Sequence, residues 1–132
     1  MQLDIVTPER RVYSEQVTMV IARAAEGDIG ILPQHAPLVS PLKVTAVQIK
    51  TPKGEQRVAV GGGFIEVRPD HITILAESAE LPDEIDLDRA VAAKKRAEER
   101  IEQKSISEDD LVRAKVALDR ANVRIEVANW KS

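Results

Sequence analysis

The chain has 132 residues, 43% of them apolar, enough for one domain or a small domain with an appendage. Aromatics make up 2% (Tyr13, Phe64 and Trp130), so platforms for stacking bases or sugars are nearly missing. There are no cysteines, and 19 basic residues face 22 acidic ones for a net charge of −3. These values exclude disulfide frameworks, zinc–thiolate sites and cysteine nucleophiles, and they disfavour nucleic acid as a partner. No apolar run approaches the roughly 20 residues that span a bilayer, and Met1–Asp4 does not open a basic leader. The expectation is a soluble protein with no direct membrane insertion.

All six glycines and all seven prolines lie at or before Pro82. Both residue types punctuate turns and break helices, so the architecture is expected to change there. Before that point, short β-branched runs alternate with turn residues. Leu3–Thr7 stops at Pro8, and Val17–Ala24 closes at Glu26-Gly27-Asp28. Gly27-Asp28-Ile29-Gly30 reads as a turn, leading into a short strand that ends at Pro33. Lys43–Thr51 returns through Pro52-Lys53-Gly54 into Gln56–Val60, a hairpin signal. Gly61-Gly62-Gly63 reads as a strand-connecting bulge, since no Gly-Lys-Ser/Thr follows to make a phosphate loop. Phe64–Val67 and His71–Ala76 complete the set. Many short strands without intervening helices predict an antiparallel β-sandwich over residues 1–82.

From Asp86 the period becomes helical. Leu87, Ala90, Lys94, Ala97 and Ile101 form one stripe, and Leu111, Ala114, Leu118, Ala121, Ile125 and Ala128 form a second. Ser107 is a natural N-cap for the second helix, and Asp83 or Asp86 for the first. A short connection makes the helices antiparallel neighbours, so residues 83–132 read as a two-helix antiparallel hairpin and the fold class as α+β. Half of the second stripe is alanine, which favours helix but buries little surface. Such a hairpin loses little on opening; a permanently docked appendage is the competing reading.

No catalytic constellation emerges. His35 and His71 lack partners at ligand spacing, and no serine sits in a G-x-S-x-G turn. The more informative grouping is cationic. Arg89 and Arg96 share a face of the first helix, and Arg120 and Arg124 share a face of the second. Four guanidiniums on facing helices would suit a polyphosphate, with Glu80 and Asp86 placed to accept from a sugar or an exocyclic amine. Solvated arginines paired with local carboxylates are the competing reading.

Several motifs resemble a known family from end to end. They are Val6-Thr7-Pro8 with Val12-Tyr13, then Gly27-Asp28-Ile29-Gly30-Ile31-Leu32-Pro33-Gln34-His35-Ala36-Pro37-Leu38, then Gly62–Val67 and Ile72–Glu77. Together they are similar to the epsilon subunits of F-type ATP synthases, in a bacterial, Bacillus-like form. The resemblance implies a non-enzymatic rotor subunit of the central stalk that couples proton flow to ATP synthesis. It implies a sandwich touching the gamma subunit and the c-ring, and a peripheral place on the cytoplasmic face of the cell membrane. It also implies a hairpin that inhibits ATP hydrolysis by extending toward the beta and alpha subunits. Some bacterial members bind ATP on the closed hairpin through an I/L-D-x-x-R-A motif, matched here by Ile85, Asp86, Arg89 and Ala90. Glu80, Arg96, Arg120 and Arg124 stand where those members supply further contacts. On this resemblance no cofactor is required, and ATP is a regulatory ligand.

Overall fold

The computed structural model describes residues 1–130 of the chain. Eight strands come first: β1 (Gln2–Val6), β2 (Arg11–Gln16), β3 (Met19–Ala24), β4 (Gly27–Ile31), β5 (Leu38–Thr51), β6 (Gly54–Arg68), β7 (His71–Ala76) and β8 (Ala79–Glu80). A 3-10 turn (Pro82–Glu84) leads into α1 (Leu87–Ile101) and α2 (Glu108–Asn129).

The strands are hydrogen-bonded in the order β2-β1-β7-β6-β5-β3-β4, with β8 on β6. The long β5 and β6 pair along their whole lengths and serve both layers of the sandwich. The second half of β6 adds β7, while β5 adds β3. Alternate side chains from both layers fill one core, where Leu3, Ile5, Val20, Ile31, Val47, Ile49, Val58, Val60, Ile65, Ile72 and Ile74 have no exposed surface. The sandwich is as expected, with one exception to its antiparallel ladders: β1 runs parallel to β7.

Two local expectations are corrected. Gly27–Gly30 does not turn; it lies in β4, and the turn falls on Ala25-Glu26. The triglycine is not a bulge either. Leu42 pairs with Gly63 and Val44 with Gly61, so the register of β5 and β6 passes through unbroken. Glycine is required there for another reason. Gly62 and Gly63 have φ of 105° and 142°, and a Cβ on Gly63 would collide with the Leu75 carbonyl of β7. The strand bends where the neighbouring backbone comes close. Gln34 is the one non-glycine with positive φ among the described residues, at 69°, and its N–H donates to the Pro69 carbonyl at 2.8 Å.

Both expected caps form. The Asp86 carboxylate accepts from the Arg89 N–H at 3.1 Å, and Ser107 Oγ accepts from the Asp110 N–H at 3.2 Å. The hairpin seam is built of small residues: Ala90 and Ala97 of α1 and Ala114 and Ala121 of α2 are its buried positions. Leu87, expected to add bulk to the seam, is 36% exposed, whereas Val127, off the predicted stripe, is fully buried. The packing explains this difference: α1 packs on α2, and α2 packs on β5, β6 and the 3-10 turn. One face of α2 serves the seam and another the sandwich.

Candidate functional site

The start of α1 stands opposite the later turns of α2, with the end of the sandwich beneath them. The cleft between has a volume of about 420 Å³ and is lined by Glu80, Glu84, Asp86, Arg89, Ala90, Ala93, Arg96 and Arg124. Its size lies in the range of small-molecule sites, roughly 300–1,000 Å³. Six of the eight residues named from the sequence converge here. The other two do not line it. Ile85 is the half-buried residue closing the 3-10 turn. Arg120 lies in a neighbouring crevice beside Gly61 and Ser78 and donates to Glu77 at 3.4 Å.

Charge in the cleft is unevenly compensated. Arg124 Nε donates to Glu80 Oε1 at 2.5 Å. The Glu84 carboxylate accepts from the Leu81 N–H at 2.9 Å and from Arg10 at 2.9 and 2.7 Å. Those bonds, the Leu81 amide foremost, hold its acid below the usual glutamate range. Asp86 is occupied in capping α1. Arg89 and Arg96 have no carboxylate within ion-pair distance among the described residues. Arg89, in the first turn of α1, and Arg96, two turns further on, present their guanidiniums to the cleft. Glu84 and Ala93 were not among the sequence candidates. Glu84 sits three residues after Leu81, a capping spacing, but its pairing with Arg10 crosses most of the sandwich sequence and leaves no local signal.

A second feature lies on the outer face of the sandwich. Phe64 and Leu75 are cross-strand partners on β6 and β7, 54% and 57% exposed. Val39 on β5 is 69% exposed and pairs with Glu66, which shares the face of Phe64. Leu32 is exposed as well. Apolar side chains clustered on an outer sheet face mark an interaction surface. No group of three or more His, Cys, Asp or Glu among the described residues is arranged to hold a metal ion. No helix among them is long and apolar enough to cross a membrane.

Fold and cleft together define a β-sandwich carrying a helical hairpin, and comparison with known proteins places that arrangement. Residues 1–82 match the family described as "ATP synthase, Delta/Epsilon chain, beta-sandwich domain", and residues 83–129 match "ATP synthase, Delta/Epsilon chain, long alpha-helix domain". The chain belongs to the ATP synthase delta/epsilon chain family. Within it, the chain is 51% identical over 128 residues to the ATP synthase epsilon chain of Bacillus licheniformis, covering 97% of each. It is 50% identical over 128 residues to that of Halalkalibacterium halodurans, covering 97% of this chain and 96% of the relative.

Among solved structures, a chain of the Euglena gracilis mitochondrial ATP synthase, determined with its OSCP, F1 and c-ring, superposes with a TM-score of 0.79 at 22% identity. That match covers 96% of this chain and 79% of the other. At such identity it supports the fold alone. Membership of the family carries a central-stalk role that is structural and regulatory, not enzymatic.

Proposed function

We propose that residues 1–82 attach the chain to the gamma subunit and the c-ring, and that residues 83–132 form a regulatory hairpin that restrains ATP hydrolysis when it opens. Residues 131 and 132 of that unit lie outside the described residues. ATP binds the closed hairpin in the arginine cleft and favours closure. The observation that carries this reading is the pair Arg89 and Arg96, without carboxylate partners, facing Arg124 across a cleft of about 420 Å³. Three arginine forks suit a triphosphate, and Glu80 and Asp86 lie at the same cleft to accept from a sugar or an amine. Ile85 shapes the turn into the cleft, Ala90 keeps its floor low, and Arg120 steadies α2 on Glu77.

The alanine seam supports movement. Both helices keep their internal hydrogen bonds when they part, so opening forfeits only the burial of small side chains and the α2–sandwich contacts. A ligand at 100 times its dissociation constant favours the form it binds by about 2.7 kcal/mol. The exposed patch around Phe64 and Leu75 supports the docking role of the sandwich in a rotor assembly, peripheral on the cytoplasmic face of the membrane.

A second reading, a stalk subunit whose hairpin stays shut without nucleotide, draws on the Arg124–Glu80 and Arg120–Glu77 contacts. ATPase rates of the complex assembled with the full chain and with residues 83–132 removed decide whether the hairpin regulates. Faster hydrolysis after removal is expected, and an unchanged rate argues against inhibition.

A further inference from the structure

The hairpin is held to the sandwich by its second helix, and the last turn of that helix ends on one side chain. Arg57 of β6 lies under the ring of Trp130, with the guanidinium carbon 5.1 Å from the ring centroid. Glu126, one turn earlier, brings a carboxylate to 3.9 Å from the same guanidinium. Val127 between them is fully buried. Trp130 also lines a groove of about 410 Å³ with Tyr13 and with Leu81 and Pro82 of the linker, so the end of α2 returns to the place where the hairpin begins. None of these residues lines the arginine cleft.

We infer that the last turn of α2 is a latch seated on Arg57, which holds the hairpin shut separately from the nucleotide cleft. The inference rests on the reading that the hairpin opens. Arg57 is 20% exposed and Glu126 is 55% exposed, so at 3.9 Å the ion pair is screened and the ring supplies most of the attraction. Among the described residues Arg57 Nε is buried without a hydrogen-bond partner, and a buried unpaired donor disfavours the state that buries it. Opening returns that N–H to water. The seat therefore grips the indole and carries its own opposing cost, which makes the contact releasable. Two inputs then act on one equilibrium: anion binding near the start of α1, and ring seating at the end of α2.

The chain has no cysteine, so a single introduced pair reports the hairpin position. Cysteines replace Lys53 in the β5–β6 turn and Lys104 between the helices, both exposed, and spin labels on them give the interlabel distance distribution without nucleotide. Trp130→Ala and Arg57→Ala should each raise the open-to-closed ratio by roughly tenfold. Glu126→Gln should raise it less, and Trp130→Phe should retain most of the closure. The Trp130→Ala, Arg57→Ala double variant should open no further than either single one, as for two halves of one contact.

Arg124→Ala serves as the comparison, and the far-ultraviolet spectrum of each variant confirms an intact sandwich. If Arg124→Ala opens the hairpin while Trp130→Ala and Arg57→Ala leave the ratio unchanged, the latch is wrong and the mobile-hairpin reading stands. Additive effects of Trp130→Ala and Arg57→Ala also overturn it. If no variant opens, the mobile-hairpin reading fails and takes the latch with it.

Discussion

Arg124 donates from Nε to the Glu80 carboxylate at 2.5 Å and joins α2 to β8 at the mouth of the arginine cleft. One guanidinium thus belongs to two structures, the seam that keeps the hairpin down and the cationic wall of the cleft. Because a fork has several N–H groups, Arg124 can keep Glu80 on Nε while its terminal nitrogens meet a phosphate. Ligand binding then adds to the tether instead of replacing it.

Arg89→Ala is expected to weaken ATP binding by roughly tenfold to a hundredfold, since a charge-assisted contact is lost and no ion pair is broken elsewhere. Calorimetric titration of the full chain measures it. The thermal midpoint should stay unchanged, because the Arg89 side chain is exposed. Equal affinity of variant and parent would remove Arg89 from the site.

The sandwich should lose stability at both ends of the pH scale. Asp4 accepts from Ser14, and this bond, with those from Gln2 and His71 and against the cost of burial, lowers its acid below the ordinary aspartate value of about 3.9. A lowered folded value stabilises above the unfolded one and is lost as pH falls through the folded one. Asp4→Asn should flatten the acid limb of stability against pH, measured by urea unfolding. Burial, with Glu15 adding to it, pushes Tyr13 up to about 12. Its contribution is whole below the ordinary tyrosine value of about 10 and fades as pH rises toward 12. Tyr13 is the only tyrosine, so phenolate absorbance follows it directly.

Gly63→Ala should cost about 2–5 kcal/mol, from a left-handed backbone and a collision with the Leu75 carbonyl together. Gly54→Ala, with φ of 131° and nothing within 4 Å of the new carbon, should cost about 1–2 kcal/mol. Denaturant unfolding ranks the two. The reverse order would mean that the β6–β7 approach is not tight.

Phe64→Ser and Leu75→Ser should each cost no more than about 1 kcal/mol of stability, because both side chains are more than half exposed and lose little beyond their cross-strand pairing. Their effect should appear in assembly, as a roughly tenfold to hundredfold weaker affinity for the gamma subunit, measured by interferometry. Unaltered affinity would place that docking surface elsewhere on the sandwich.

What could be read from the sequence follows the range of the interactions involved. Ser107 and Asp86 cap helices through contacts three residues long, and the change of architecture after Pro82 is written in composition. Strand β2 escaped notice because only Val12 and Tyr13 of its six residues are buried; pairing with β1 makes it a strand. Gly27 and Gly30 suggested a turn, yet the ladder with β3 draws both into β4. In the cleft, helical spacing grouped Arg89, Arg96 and Arg124, whereas Arg120 of the same group turns to Glu77 outside it. The partners Glu77, Glu80 and Arg10 come from distant strands and turns, so which arginines remain unpaired was not legible.

The alanine-built helices and the long-range sandwich ladders also run on different clocks. Helical turns form within about a microsecond, whereas sheets closed by distant pairings take roughly milliseconds to seconds. The surface that receives α2 lies on β5 and β6, so it exists only once those ladders are complete. The hairpin therefore reaches its native place only after the sheet has closed, because before then α2 has no surface to pack on.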